Sequence, residues 1–284
     1  MHKNLHEDNR LSWNAATVAH NSHKGDQAAF FRNGGNNLYP EEKALLGDIR
    51  GLSVIHLQCN SGQNTLSMAQ MGATVTGVDI SDVAIDFARQ LSRDSGVPAT
   101  FYRMDVYDWL EETARSTQRF DVAFSSYGAI VWLSDLELWA KGIAAILKPG
   151  GRFVTVDYHP VMHIFDEQMQ RKFSYFNNGK WDTFFPGVGD YVAFARDTLD
   201  GKTYVEGVQD FQNPHPSHEF IWGIGEIVSA LLKAGLLLTS LQEYPYANGS
   251  KFYDDMHNDQ QRWFLPEGQP SIPMMYSITA QKPH

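Results

Sequence analysis

The residues whose types and spacing could do chemistry cluster in "QCNSG", residues 58–62, and in two carboxylates that follow, Asp79 and Asp105. The loop follows an apolar run, Ser53–Leu57, and precedes a short helical pattern at 64–71 that stops at Gly72. At such a turn, backbone N–H groups and the positive end of the helix attract anions, carboxylates included. Glycine normally supplies the positive φ and the close ligand approach. Here Asn60 is expected to supply the positive φ, because asparagine tolerates the left-handed region. Gln58 fills space a glycine would leave open, and its amide is expected to compensate by bonding the ligand. Asp79 ends the next strand pattern, where a carboxylate accepts hydrogen bonds from ribose hydroxyls. Asp105 ends the third, where an acid can accept from the exocyclic amine of an adenine. Either aspartate alone would more often be a helix cap or turn residue. Together with the loop, at successive strand ends, they point to an adenosine-containing cofactor.

The type of cofactor follows from what the loop lacks. A dinucleotide needs G-x-G-x-x-G, and only Gly62 fits. A Walker loop needs GK[ST], which is absent. S-adenosyl-L-methionine sets an amino-acid tail against the loop, and polar side chains suit that zwitterion. Cys59 is expected to be a small buried residue, since no helper base adjoins it in sequence. No H-x-E-x-H, paired cysteine or D-x-D pattern suggests a metal.

These residues need strands and helices to hold them, and the chain alternates the two. After Ser53–Leu57 come strand patterns at 74–78, "ATFYRMD", "FDVAFSS" and "RFVTVD". Between them Ser81 caps a helix with Ala84, Phe87, Ala88 and Leu91 on one face, stopped at Gly96 and Pro98. Ser134 and Glu137 form a capping box before Leu136, Trp139, Ile143 and Leu147, and "KPGG" reads as the closing turn. Pro40 starts a helix in "LYPEEKALLGDIRG". Strands separated by helices of this length imply βαβ units with right-handed crossovers. The regularity stops after "VDYHP", in an aromatic-rich stretch that includes "FSYFNNGKWDTFFPG" and "TYVEGVQDF". A helix resumes at 224–234, followed by the strands "LLLTSLQEY" and "PMMYSITAQK". The fold class is α/β: a Rossmann-like, doubly wound, mostly parallel sheet with an inserted aromatic-rich lid. Residues 1–49 read as an N-terminal helical cap segment and 50–158 as the cofactor-binding core. Residues 159–222 read as the lid, and 223–284 as the core's C-terminal helix and antiparallel strand pair.

With 284 residues, 43% of them hydrophobic and 20% charged, the chain can bury a full core. Its single cysteine excludes an internal disulfide and fits a reducing, cytoplasmic location. The net charge of −10 argues against nucleic acid as partner, and no apolar run is long enough to span a membrane. A small-molecule acceptor is the expected partner.

"VIHLQCNSG", "VTGVDIS", "MDV", "FDVAFSSYGAIVWL" and "LKPGGRFV" together resemble the class I S-adenosylmethionine-dependent methyltransferases. "HLQC" is similar to a bacterial subgroup of them, as are "IGEIVSALLKAGLLLTSLQEYPY" and "IPMMYSITAQKP". The resemblance covers about 50–158 and 218–284, and it implies seven strands with the last antiparallel. It implies that Gln58, Cys59, Asn60, Ser61 and Gly62 face the methionine tail, and that Asp79 holds the ribose with Ile80 against the adenine. Met104, Asp105 and Val106 would line the adenine; Ser125, Ser126 and Tyr127 would lie beneath the sulfonium. His56 stands where the family has its first acid, and Gln58 and Asn60 where it has glycines.

Methyl transfer is an in-line displacement that the protein serves by orienting the partners and taking a proton from a hydroxyl acceptor. Histidine suits that role near neutral pH. His159, just past the fifth strand, His163 in the lid, and His218, near His215 at the lid's return, are the candidate bases. Tyr127 is a candidate pocket residue, and the lid's aromatic run reads equally as core packing or as the wall of a pocket for a flat acceptor. Trp13 and Phe30 are expected to close over the cofactor. A non-catalytic nucleoside-binding protein on the same fold is the alternative.

Overall fold

The structure, a computed structural model, describes residues 1–176, 180–195 and 204–284. Three helices lead the chain: α1 (Lys3–Ser22), α2 (Gln27–Arg32) and α3 (Pro40–Leu46). Then β1 (Ser53–Leu57), α4 (Gln63–Gln70), β2 (Thr74–Asp79), α5 (Asp82–Ser95), β3 (Thr100–Arg103), α6 (Val106–Arg115), β4 (Phe120–Ser126), α7 (Leu136–Ile146) and β5 (Leu147–Tyr158) alternate. The insertion carries β6 (Asp182–Phe184), α8 (Tyr191–Ala195) and β7 (Ser217–Glu219). The chain closes with α9 (Ile224–Lys233), β8 (Leu237–Tyr244), β9 (Tyr246–Asn248), β10 (His257–Asp259), β11 (Arg262–Phe264) and β12 (Met275–Gln281).

Seven strands form one sheet in the order β3-β2-β1-β4-β5-β12-β8. The neighbours from β3 to β5 pair parallel, while β12 runs antiparallel to both β5 and β8. The central strands are apolar on both faces, as expected where helices cover both. Ile55, Leu57, Val78, Ala123 and Phe153 pack with α6, α7 and α9 on one side. Val54, Val75, Val122, Phe124 and Val154 pack beside Leu46 and Met68 on the other.

Local chemistry sets the ends that matter for the site. Ser81 caps α5 by accepting from the Ala84 N–H at 3.1 Å, and Gly96 ends it at φ +72°. Asp105 caps α6 by accepting from the Tyr107 N–H at 2.9 Å. The cap expected at Ser134 falls one residue later: Asp135 accepts from the Leu138 N–H. Ser134 is thereby left to bond the N-terminal helix. "KPGG" is no turn but the start of β5, beside a register shift between Phe120 and Val122.

The end of the chain differs from a simple helix and strand pair. Between β8 and β12 it makes a second excursion, the small antiparallel sheet β10-β11-β9. This excursion packs its own cluster, with Ala247, Tyr253, Met256 and Met274 around Met162. Residues 177–179, in the first aromatic run, and residue 203, in the last, lie outside the described residues. Several described aromatics of the insertion face solvent instead of a core: Phe176, Phe185 and Phe194 are 69–78% exposed.

Candidate active site

The loop between β1 and α4 turns twice through the left-handed region before reaching its glycine. Gln58 has φ +53°, Asn60 +47° and Gly62 +79°. Asn60 was the expected case, but Gln58 takes the strained conformation as well. Asn60 stabilises its own geometry: its Oδ1 accepts from the Ser61 N–H at 2.6 Å and from Ser61 Oγ at 2.9 Å. Gly62 is fixed by space as well as by φ, since a Cβ there would stand 2.7 Å from the Ala88 Cβ. Gln58 donates from Nε2 to the Ala129 carbonyl at 2.8 Å. Its Oε1 is buried with no partner, an acceptor that a ligand's ammonium or N–H would satisfy.

Asp79 ties the loop to the second strand. Its Oδ2 accepts from the Asn60 N–H and its Oδ1 from the Ser81 N–H, both at 2.8 Å. Burial raises its carboxyl above the ordinary range, and these amide bonds pull it back. Asp105 is already engaged. Its Oδ2 meets His6 Nδ1 at 2.7 Å and Lys3 Nζ at 3.1 Å. His56, where a family acid would stand, pairs its Nδ1 with Thr65 Oγ1 at 2.8 Å. Burial holds His56 down at about 3, so it is neutral at pH 7. Burial pushes the Cys59 thiol well up, which keeps it protonated and unreactive.

Helix α1 lies across these strand ends. His6 bridges Asp105 and, through Nε2 at 2.7 Å, Ser134. Asn14 accepts from Ser81 Oγ at 2.7 Å, and Arg10 pairs with Asp82. Asn21 donates to Ser61 Oγ at 3.1 Å. The other side of α1 holds the insertion: Asn9 donates to the His218 carbonyl at 2.9 Å, Ser12 accepts from the Val188 N–H at 3.0 Å, and His23 meets Asp190 at 2.9 Å. The N-terminal helix and the insertion thus form one roof.

Beneath that roof is a cavity of about 600 Å³. Gln58, Cys59, Asn60, Asp79, Ile80, Asp105, Val106, Ser126, Tyr127, Trp13 and Phe30 all line it, as does His56. Four expected site residues lie behind the wall. Ser61 is turned onto Asn60, Gly62 packs under Ala88 and Phe101, Met104 joins the core, and Ser125 is buried within β4.

The histidine candidates for the base need correction, because none of the three lines this cavity. His159 caps the turn Pro160–Ile164 by accepting from the Val161 N–H, and its Nε2 lies 3.0 Å from Glu243. His163 faces a minor crevice beside Trp222, and burial holds it down at about 4. His218 pairs Nδ1 with Thr183 at 2.9 Å and Nε2 with Asp8 at 3.1 Å. His159 and His218 tie segments together and His163 lies in a separate crevice, which their positions past a strand and in the lid could not reveal.

The wall opposite the loop is built of residues that carried no motif. Tyr39, Lys43, Tyr158, Tyr191 and Asn248 line it. The Tyr127 ring stands between Tyr39 and Tyr158, 5.6 Å from each. Lys24 also lines the cavity, and burial brings its ammonium down to about 8. Among the described residues neither Lys24 nor Lys43 has a carboxylate within ion-pair distance. Among the described residues of 159–222, Tyr191 is the one that lines the cavity. Among the described residues no group of three His, Cys, Asp or Glu is placed to hold a metal, and no helix is long and apolar enough to cross a membrane.

The sheet order, the single antiparallel strand and the cavity at the carboxyl ends of β1, β2 and β4 define the fold of the class I methyltransferases. Residues 54–151 match the family model described as a methyltransferase domain. A ubiquinone biosynthesis O-methyltransferase from Rhizobium etli is 30% identical over 103 residues, 36% of this chain and 40% of that protein. One from Bordetella avium is 28% identical over 123 residues, 43% and 49% of the two chains. The chain therefore spans less than half the length of these curated relatives. A solved structure from Listeria monocytogenes superposes with a TM-score of 0.57 over 86% of this chain and 97% of its own, at 20% identity. An S-adenosylmethionine dependent methyltransferase from Mesorhizobium loti gives 0.51 over 86% and 96%, at 18% identity. At such identities the likeness is one of fold.

Proposed function

We propose that the protein is a cytoplasmic S-adenosylmethionine-dependent methyltransferase acting at oxygen or nitrogen of a small molecule. The observation that carries this reading is one cavity with two kinds of wall. The loop at 58–60 with Asp79 and Ile80 forms one side, and a tyrosine wall with Asn248 forms the other.

The residues fit the cofactor. Asp79 keeps lone pairs for ribose hydroxyls after binding two amides. Gln58 Oε1 offers an acceptor to an ammonium, and Lys24, beside the start of α4, offers a cation to a carboxylate. Asp105 holds α1 through His6 and borders the adenine side. Trp13, Phe30 and Val106 supply apolar wall. When bound, the cofactor supplies an electrophilic methyl group on sulfur. The protein's part is to align the acceptor and exclude water, which α1 and the insertion do as a roof. The cavity is a partly open cleft under α1 and the insertion, and its volume of about 600 Å³ suits a cofactor with a small acceptor. Residues 50–158 and 223–284 serve as the core, 159–222 as the lid and 1–49 as the cap.

Thermal unfolding with S-adenosylmethionine, S-adenosylhomocysteine, NAD and ATP in parallel tests this. At about a hundredfold over its Kd a ligand adds roughly 2.7 kcal/mol, a rise on the order of 5 °C for a chain this long. A shift with the first two alone is expected. A shift with NAD or ATP instead refutes the assignment. The Gln58 side chain, standing where a glycine would leave room, favours a second reading, a nucleoside-binding protein without catalysis. Binding without methylation of any acceptor would support that one.

A further inference from the structure

Asn248, at the end of β9, is 1% exposed and joins three distant segments. Its Nδ2 donates to Glu41 Oε2 at 2.9 Å and to Tyr127 Oη at 3.0 Å. The orientation of the amide follows from chemistry: an ionised carboxylate only accepts, so the nitrogen must face Glu41. Burial alone would raise the Glu41 carboxyl. Hydrogen bonds from Tyr246 and Asn248, with the Arg262 guanidinium, instead hold it below the usual range. Asn248 Oδ1 is then left buried without a partner.

The consequence falls on Tyr127. Its Oη must accept from Asn248, so its own proton points elsewhere. Among the described residues that proton meets no acceptor, and Tyr127 lines the cavity. Tyr158 behaves differently: its hydroxyl is spent on the Asn248 carbonyl and Ser250 Oγ, each at 3.0 Å. Burial also keeps Tyr127 protonated far above neutral pH, so it donates and does not act as a base.

We infer that Glu41 and Asn248 fix the Tyr127 hydroxyl as a one-way donor into the cavity, so that the methyl acceptor meets it with a lone pair and not with an ammonium. The inference rests on the methyltransferase reading and narrows it to acceptors that present a lone pair at that point: a hydroxyl, phenolate, enolate or carboxylate oxygen, or a neutral nitrogen. Glu41 and Asn248 are positioning residues, and Tyr127 is the residue that touches the acceptor.

The test is calorimetry on the full chain saturated with S-adenosylhomocysteine. Two probes of similar size and opposite polarity, 4-nitrophenolate and benzylammonium, are titrated separately. Wild type is expected to bind 4-nitrophenolate about tenfold more tightly or better. Tyr127→Phe removes the donor. Asn248→Asp sets a second carboxyl against Glu41, the two share one proton, and the aspartate oxygen left over takes the tyrosine proton away from the cavity. Each variant is expected to weaken 4-nitrophenolate about tenfold and bring the two probes together, the worth of one hydrogen bond to a charged group. Each variant is saturated with S-adenosylhomocysteine according to its own measured Kd, so that the probe ratio is the readout, and a merely structural role would weaken both probes alike. The inference is overturned if wild type prefers benzylammonium or fails to bind 4-nitrophenolate at millimolar concentration. A probe ratio unmoved by Tyr127→Phe overturns it too. If Asn248→Asp does not fold, Tyr127→Phe decides alone. Loss of S-adenosylhomocysteine binding in wild type would strike the methyltransferase reading instead, and the probes are then titrated without it.

Discussion

Replacing Asp79 with asparagine changes one oxygen into an NH2 group and leaves the volume almost the same. In the native site each carboxylate oxygen binds one backbone amide at 2.8 Å, from Asn60 and from Ser81. Each oxygen has a second lone pair for a ribose hydroxyl. In Asp79→Asn one oxygen remains, and the NH2 must face an N–H of the loop or the ligand. At least one hydrogen bond to a charged acceptor is lost from the complex, worth about 1.5–3 kcal/mol. That predicts a roughly ten- to 150-fold rise in Kd. Calorimetric titration with S-adenosylhomocysteine measures it, beside a denaturant curve that establishes folding. An unchanged Kd in a folded variant would refute the ribose assignment. A loss of affinity that merely tracks a loss of stability would show that Asp79 acts through the loop alone.

Two further predictions concern the scaffold under the loop. His56 is held at about 3 against an ordinary value of 6.5, so the unfolded chain binds the proton more readily. Its contribution is present above pH 6.5 and is lost as pH falls toward 3. Between pH 7 and 5 the loss is about 2 kcal/mol. His56→Gln should flatten the acid limb of the stability curve by about that amount, and parallel curves for the two proteins would contradict it. Gly62→Ala forces a side chain into φ +79° and onto Ala88. It should cost about 2 kcal/mol or more in urea unfolding, and a neutral result would show that the loop shifts freely.

Much of the site was legible because short-range chemistry fixed it. The run Ser53–Leu57, the turn through Asn60 and Gly62, and the acid ending each of the next two strand patterns are local features. A parallel sheet with βαβ connections then leaves almost no freedom in where they meet. The capping of α5 by Ser81 and its stop at Gly96 are equally local. The cap of α7 moved from Ser134 to Asp135 because His6, from the far end of the chain, draws Ser134 away. Asp105 shows the same effect: its place at the strand end was readable, its capture by His6 and Lys3 was not.

The histidines mark the boundary most clearly. His159, His163 and His218 have the right chemistry for a base, and sequence places them near the right rim. Whether a ring faces a cavity or ties two segments together depends on which way the backbone turns after a strand. The tyrosine wall was hidden for the related reason that Tyr39, Tyr158 and Asn248 have no mutual spacing in sequence.

Sequence by itself therefore determined the fold class, the loop, the acid at position 79 and the chemistry of the cofactor they suit. These depend on hydrogen bonding and backbone conformation within a few residues. Tertiary structure alone decided that α1 and the insertion form one roof, that His159 and His218 are braces, and that Glu41, Asn248 and Tyr127 are joined by hydrogen bonds. Those outcomes depend on contacts between distant segments, such as Asn9 with His218, 209 positions apart, which only packing brings together.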